Sequence, residues 1–151
     1  MTNLFKNIAL LFLSCCLVSG CKKKTVPPPD PAPSIEFESI TPASPKEYID
    51  IIIIKFKYKD ANGDLGDYSP DEQSLQVKDA RVLNSDNYHV KPLAPNSDKD
   101  IPIEGEIEIK LNSLFLLGTG TTEVTTLTFK IKDRAGNWSN EVTSPQITIR
   151  K

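Results

Sequence analysis

Histidine, cysteine and tryptophan are scarce in this chain of 151 residues, and each shortage closes a route to function. The one histidine is His89. A single imidazole cannot build a histidine-based metal site. A Ser-His-Asp triad using it would also need a Gly-x-Ser-x-Gly elbow, which the chain lacks. Walker and Rossmann glycine patterns are missing too. The three cysteines are Cys15, Cys16 and Cys21, so nothing after residue 21 can form a disulfide, and a domain there must rest on an apolar core. No stretch reaches the roughly 20 apolar residues that span a bilayer. Helical periodicity is also lacking in any window long enough to matter. Carboxylates are plentiful, but Glu104, Glu106 and Glu108 recur at spacing two, which lines the wet face of a strand rather than pairing acids across a glycosidic bond. These shortages point away from an enzyme.

What is present begins with a leader. Lys6 precedes an apolar run at residues 8–18, and small residues follow, the pattern of a secretory signal peptide. Leu17-Val18-Ser19-Gly20-Cys21 resembles the lipobox of bacterial lipoproteins. That resemblance implies cleavage between Gly20 and Cys21, diacylation of the Cys21 thiol, and a third acyl chain on the new amino terminus. One acyl chain holds a protein to a membrane only marginally, whereas several hold it stably. Residues 1–20 are thus expected to be a lipoprotein signal peptide, and residues 21–33 a lipidated linker. Lys22, Lys23 and Lys24 follow the cysteine, and five prolines fall within residues 26–33. Proline fixes φ and removes a donor, so this stretch should be a polyproline II spacer of about 3.1 Å per residue. Some surface-exposed lipoproteins carry an acidic export signal at this place. Lysines stand here instead, which points to an outer-membrane anchor with the domain facing the periplasm.

Residues 34–151 should form one domain. All twenty acidic residues of the chain lie after Lys24, against fourteen of its eighteen basic ones. The remainder is net acidic, which argues against nucleic acid as a partner. Its pattern has period two. Ile52, Ile54, Phe56 and Tyr58 alternate with Lys55, Lys57 and Lys59. Ile107, Ile109 and Leu111 alternate with Glu106, Glu108 and Lys110. Leu127, Phe129 and Ile131 alternate with Thr128, Lys130 and Lys132, and Ile147 and Ile149 with Thr148 and Arg150. Weaker candidates lie at residues 35–40, 75–83 and 88–93, and a helical turn is expected at residues 112–117. The expected fold is all-β: a single antiparallel immunoglobulin-like or fibronectin type III-like β-sandwich of about seven strands. The Cys…Trp…Cys hallmark of antibody domains is absent, so the resemblance is to disulfide-free bacterial members.

Two strands end alike. Phe56-Lys57-Tyr58-Lys59-Asp60-Ala61-Asn62-Gly63 echoes Phe129-Lys130-Ile131-Lys132-Asp133-Arg134-Ala135-Gly136-Asn137. Both run from alternation into Asp/Asn/Gly turn chemistry, and in such a sandwich both turns should lie at one end. Asp60, Asn62 and Asp64, with Asp133 added, offer oxygens for a calcium ion. The loop departs from a true EF-hand, since Leu65 stands in the place of its glycine and no helices flank it. The alternative is a turn that satisfies its own backbone. Trp138, in the turn beside Asn137, is expected first to fold back and plug the end of the sandwich; the rival reading makes Trp138 and Asn137 the candidate ligand- or partner-binding residues. The expected function is a membrane-anchored, non-enzymatic binding or scaffolding module of the bacterial cell envelope, its partner an envelope protein or glycan. The alternative is a carbohydrate-binding accessory lipoprotein of a glycan-uptake system.

Overall fold

The computed structural model describes residues 30–95, 97 and 99–151. The expected signal peptide, the expected cleavage and lipidation positions Gly20 and Cys21, and the expected linker up to residue 29 lie outside the described residues.

The chain is all-β and antiparallel. In order it forms β1 (Ser34–Thr41), β2 (Ile52–Asp60), β3 (Leu75–Asp79), β4 (Asp86–Tyr88), β5 (Ile103–Leu111), β6 (Thr122–Thr125), β7 (Leu127–Ile131), β8 (Val142–Thr143) and β9 (Ile147–Arg150). One sheet runs β1-β2-β5, a second β4-β3-β7-β8, and a third pairs β6 with β9. Nine strands thus replace the seven expected. The excess arises in the last hairpin, where each arm is divided. Thr126 alone separates β6 from β7, and residues 144–146 separate β8 from β9. Ser144 helps to close this break, its Oγ accepting from the Leu127 amide at 3.0 Å.

Period-two burial builds the core. Ile52, Ile54 and Phe56 of β2 are buried, and so are Leu75 and Val77 of β3 and Leu127, Phe129 and Ile131 of β7. Facing sheets interlock where the Phe56 and Phe129 rings meet edge to face, with centroids 4.9 Å apart. Outside, Lys55, Lys57 and Lys59 stand opposite Glu108, Glu106 and Glu104. These side chains are exposed, and pairs such as Lys59–Glu104 at 3.5 Å contribute on the order of 0–1 kcal/mol each. Their use is to fix register, because a one-residue slip would carry every lysine into the core.

Two weaker expectations are corrected. Residues 112–117 form no helical turn: they run as irregular chain, with Leu114 half-buried and Phe115 exposed. Tyr88 ends β4 instead of opening a strand, and Val90 reaches the core from the connection that follows.

Register also assigns the two ends of the sandwich. Ser34 pairs with Lys59, Asp60 with Ile103, and Leu75 with Ile131. The chain therefore enters β1 at the end that carries the β2–β3 and β7–β8 connections. The β1–β2, β3–β4 and β5–β6 connections lie at the opposite end.

Candidate functional site

At the entry end the two echoing turns are joined. Arg134 N donates to Asp64 O at 3.1 Å, Ala135 N donates to Asp64 Oδ2 at 3.1 Å, and Leu65 bridges to Asp133. Each turn is closed by its leading aspartate. Asp60 is buried and accepts from the amides of Asn62 (3.3 Å) and Leu65 (2.9 Å). Asp133 is buried too and accepts from Asn137 N (2.7 Å) and Asn137 Nδ2 (2.9 Å). Gly63 has φ 73°, and a Cβ there would strike the Ile101 carbonyl, so the loop packs too closely for any other residue. Arg134 fills the space between the turns, its Nη1 donating to Gly66 O at 2.9 Å.

The four oxygen-bearing residues divide by what they accept. Asp60 accepts from two backbone amides, Asp133 from the backbone and side-chain amides of Asn137, and Arg134 supplies the local positive charge. Asn62 Oδ1 and Asp64 Oδ1 are shielded and accept no hydrogen bond. Among the described residues, no group of three or more His, Cys, Asp or Glu side chains is arranged to hold a metal ion. Burial raises the Asp64 carboxyl above its ordinary pKa, the charges of Asp133 and Asp60 raise it further, and the Ala135 amide and Arg134 only partly offset this.

A contrast within this cluster follows. Asp60→Ala or Asp133→Ala strips two donors of a buried acceptor and should cost about 2–4 kcal/mol, read as a lower melting temperature. Asp64→Asn keeps an acceptor for Ala135 and removes a charge that the fold disfavours. Its melting temperature should hold or rise above pH ~4, the range where the wild type must ionise Asp64 against its neighbours. Calcium or a chelator should leave all these melts unmoved.

Trp138 does not plug the sandwich. It pairs with Lys132, the residue just after β7, and it stays 38% exposed. The ammonium of Lys130 lies 4.8 Å from its ring centroid and that of Lys132 5.8 Å. The ring borders a cavity of about 710 Å³ at the entry end, together with Pro33, Lys59, Glu104 and Asn140. Asn137, its partner in the sequence reading, faces inward to Asp133.

Sequence reasoning missed the opposite end. There Tyr48, Ile49 and Ile51 of the β1–β2 connection, Val82 and Leu83 of the β3–β4 connection, and Phe115 and Leu117 of the β5–β6 connection are all exposed, Leu83 at 95%. Tyr48 stacks on Phe115 with centroids 5.7 Å apart and planes 4° from parallel. Val82, Phe115 and Leu117 line one cavity of about 440 Å³.

An ion network ties the β3–β4 connection to the β5–β6 connection. Arg81 Nη2 contacts Asp79 Oδ2 at 2.7 Å and Nη1 contacts Glu123 Oε2 at 2.7 Å. Nη1 also donates to Phe115 O at 2.9 Å. Glu123 accepts from the amides of Leu117 (3.0 Å) and Gly118 (2.6 Å), and Thr125 Oγ1 donates to Asp79. Those two amides draw the Glu123 carboxyl below its ordinary pKa, against some burial and with help from Arg81. Burial would raise Asp79, but hydrogen bonds from Arg81 and Thr125 outweigh it and hold the carboxyl low. Phe115 and Leu117 are thus carried on backbone that this network bonds directly.

Comparison with protein-family models, with curated proteins and with solved structures finds no match for the chain.

Proposed function

We propose that this chain is a non-enzymatic binding or scaffolding module, anchored through Cys21 to the outer membrane of a bacterial cell envelope and facing the periplasm. Its domain is read as an immunoglobulin-like sandwich. Constant-type immunoglobulin sheets group the first, second, fifth and fourth strands, with the third and the last two in the other sheet. Here β1-β2-β5 and β4-β3-β7-β8 keep that order with the fourth strand moved across.

One observation carries the binding reading: seven exposed apolar side chains from three connections gather at the end of the sandwich remote from the linker. Contiguous apolar patches on a soluble domain mark interaction sites, and aromatic side chains on a fixed backbone lose little entropy on docking. A tethered domain holds this end away from its anchor, in reach of an envelope protein. The aspartate turns lie at the linker end, which suits a structural role.

The test places a photo-crosslinking residue at Leu83 or at Trp138 in cells. Attachment to one discrete envelope protein is expected from position 83 and not from 138. Adding Ile49→Glu should reduce it at least tenfold while shifting stability by less than about 0.5 kcal/mol, as exposed substitutions do. Crosslinks from 138 alone would overturn the assignment. The glycan-binding alternative draws on a different observation, the half-exposed Trp138 beside its 710 Å³ cavity. It requires the fluorescence of this one indole to respond to envelope oligosaccharides.

A further inference from the structure

We propose that the free edge of β5 receives an extended strand from another protein, and that the strand it fits alternates lysine or arginine with apolar residues. This goes beyond the apolar end described above and uses a different surface.

The two edges of the β1-β2-β5 sheet are treated unequally. The β1 edge is sealed. Asn140 brackets Ile35, its Oδ1 accepting from Ile35 N and its Nδ2 donating to Ile35 O, both at 2.9 Å. A bulge interrupts β1 between Phe37 and Ser39. Past β1, the carbonyls of Ala43 and Pro45 accept from Thr148 and Arg150 of β9. Bulges and covering groups of this kind keep an edge from pairing. The β5 edge has neither. Among the described residues β5 pairs only with β2, through nine consecutive partners without a bulge.

The inner face of β5 is also under-covered. Ile107 and Ile109 are only half-buried, while Phe56 and Ile54 opposite them are 1% and 0% exposed. A cavity of about 330 Å³ opens between β5 and the short β4, lined by Leu75, Tyr88, Val90, Leu93, Ile107 and Ile109. An added strand would extend the ladder on one side and set its inward side chains over this cavity. That is how β-augmentation gains affinity from main-chain bonds and specificity from alternate side chains.

Charge selects the occupant. The outer face of β5 presents Glu104, Glu106 and Glu108 in its first two thirds and a single cation, Lys110, 3.9 Å from Glu108, near its end. A second copy paired antiparallel about Glu106 would set Glu106 against Glu106 and Glu104 against Glu108, and like charges directly opposite are destabilising. A strand with basic residues at those places is favoured instead. The chain contains an example on the other side of β5: Lys55, Lys57 and Lys59 face these same glutamates while Phe56 and Tyr58 point inward.

The test uses a fluorescein-labelled peptide with the sequence of residues 53–59, Ile-Ile-Lys-Phe-Lys-Tyr-Lys, and a control with glutamate at each lysine. Fluorescence anisotropy should show the basic peptide binding at least tenfold more tightly than the acidic one. Amide hydrogen exchange should slow along β5 when it binds. Glu104→Gln/Glu106→Gln/Glu108→Gln should weaken binding at least tenfold. Should that variant fold poorly, Glu106→Gln alone should weaken binding and flatten its salt dependence. Equal binding of the two peptides, or protection appearing at Leu83 or Trp138 and not on β5, would overturn the proposal.

Discussion

Arg81→Ala is expected to destabilise the domain by about 3 kcal/mol, because removing one partner of a largely buried ion network leaves the other charge uncompensated. For a domain of this size the loss should lower the melting temperature by roughly 12 °C. The side chains of Arg81 and Asp79 are each 13% exposed, so little water is on hand to take over. The guanidinium also bonds the Phe115 carbonyl, and its partner Glu123 holds the Leu117 and Gly118 amides. The variant should therefore loosen residues 115–118 first, seen as faster amide exchange there before global unfolding. Arg81→Lys keeps the charge but loses the planar fork that reaches two carboxylates and a carbonyl at once, so its rescue should be partial.

The same network gives the defect a pH signature. Asp79 and Glu123 both titrate below their ordinary values in the folded state. A carboxyl with a depressed folded pKa contributes stability that is complete above its unfolded pKa, and that stability is lost as pH falls through the folded value. In Arg81→Ala, Asp79 loses the partner that held it low. The difference in melting temperature between wild type and variant should be widest near neutrality and narrow as pH falls below about 4. A gap constant from pH 7 to pH 3 would show that Arg81 acts by packing alone.

The core was legible because its signal is local. Alternation in residues 52–58 and 127–131 identified the inward side chains, while the pairing that sets the lysines of β2 against the glutamates of β5 came only from the structure. The shared end of the two aspartate turns was legible for the same reason, since both follow strands of one direction. What escaped was non-local. Arg81 and Glu123 are 42 residues apart, and nothing in either neighbourhood marks them as partners. The divided last hairpin escaped because Leu127–Ile131 and Ile147–Arg150 each read as whole strands, while Thr122–Thr125 and Val142–Thr143 are too short to show a period. The placement of Trp138 could have been found by parity: opposite Lys132 in the hairpin, it must share that lysine's outward face. Parity also puts the aspartate turns at the end where the chain enters β1, and Tyr48, Leu83 and Phe115 at the other.

Cys21→Ser should move the protein from nearly complete membrane association to nearly none, once residues 1–20 are replaced by an ordinary cleavable signal peptide. The effect is large because acyl chains add: at about 0.8 kcal/mol per buried CH₂ one chain holds a protein only marginally, and two or more hold it stably. Two or three such chains on one cysteine make release negligible, and serine offers no thiol to carry the diacyl group. The lysines at 22–24 cannot substitute, since each contributes only about 1 kcal/mol near an anionic surface. The core is built from residues after Ser34, so the released domain should melt at the wild-type temperature. It should also keep the position-83 crosslink when its partner is supplied at high concentration, and lose it at native levels, because a tether acts by raising effective concentration. Radiolabelled palmitate should enter the wild type and not the variant. Undiminished membrane association of Cys21→Ser would show that some other part of the chain holds it there, and the layout of anchor, proline spacer and outward-facing apolar end would have to be abandoned.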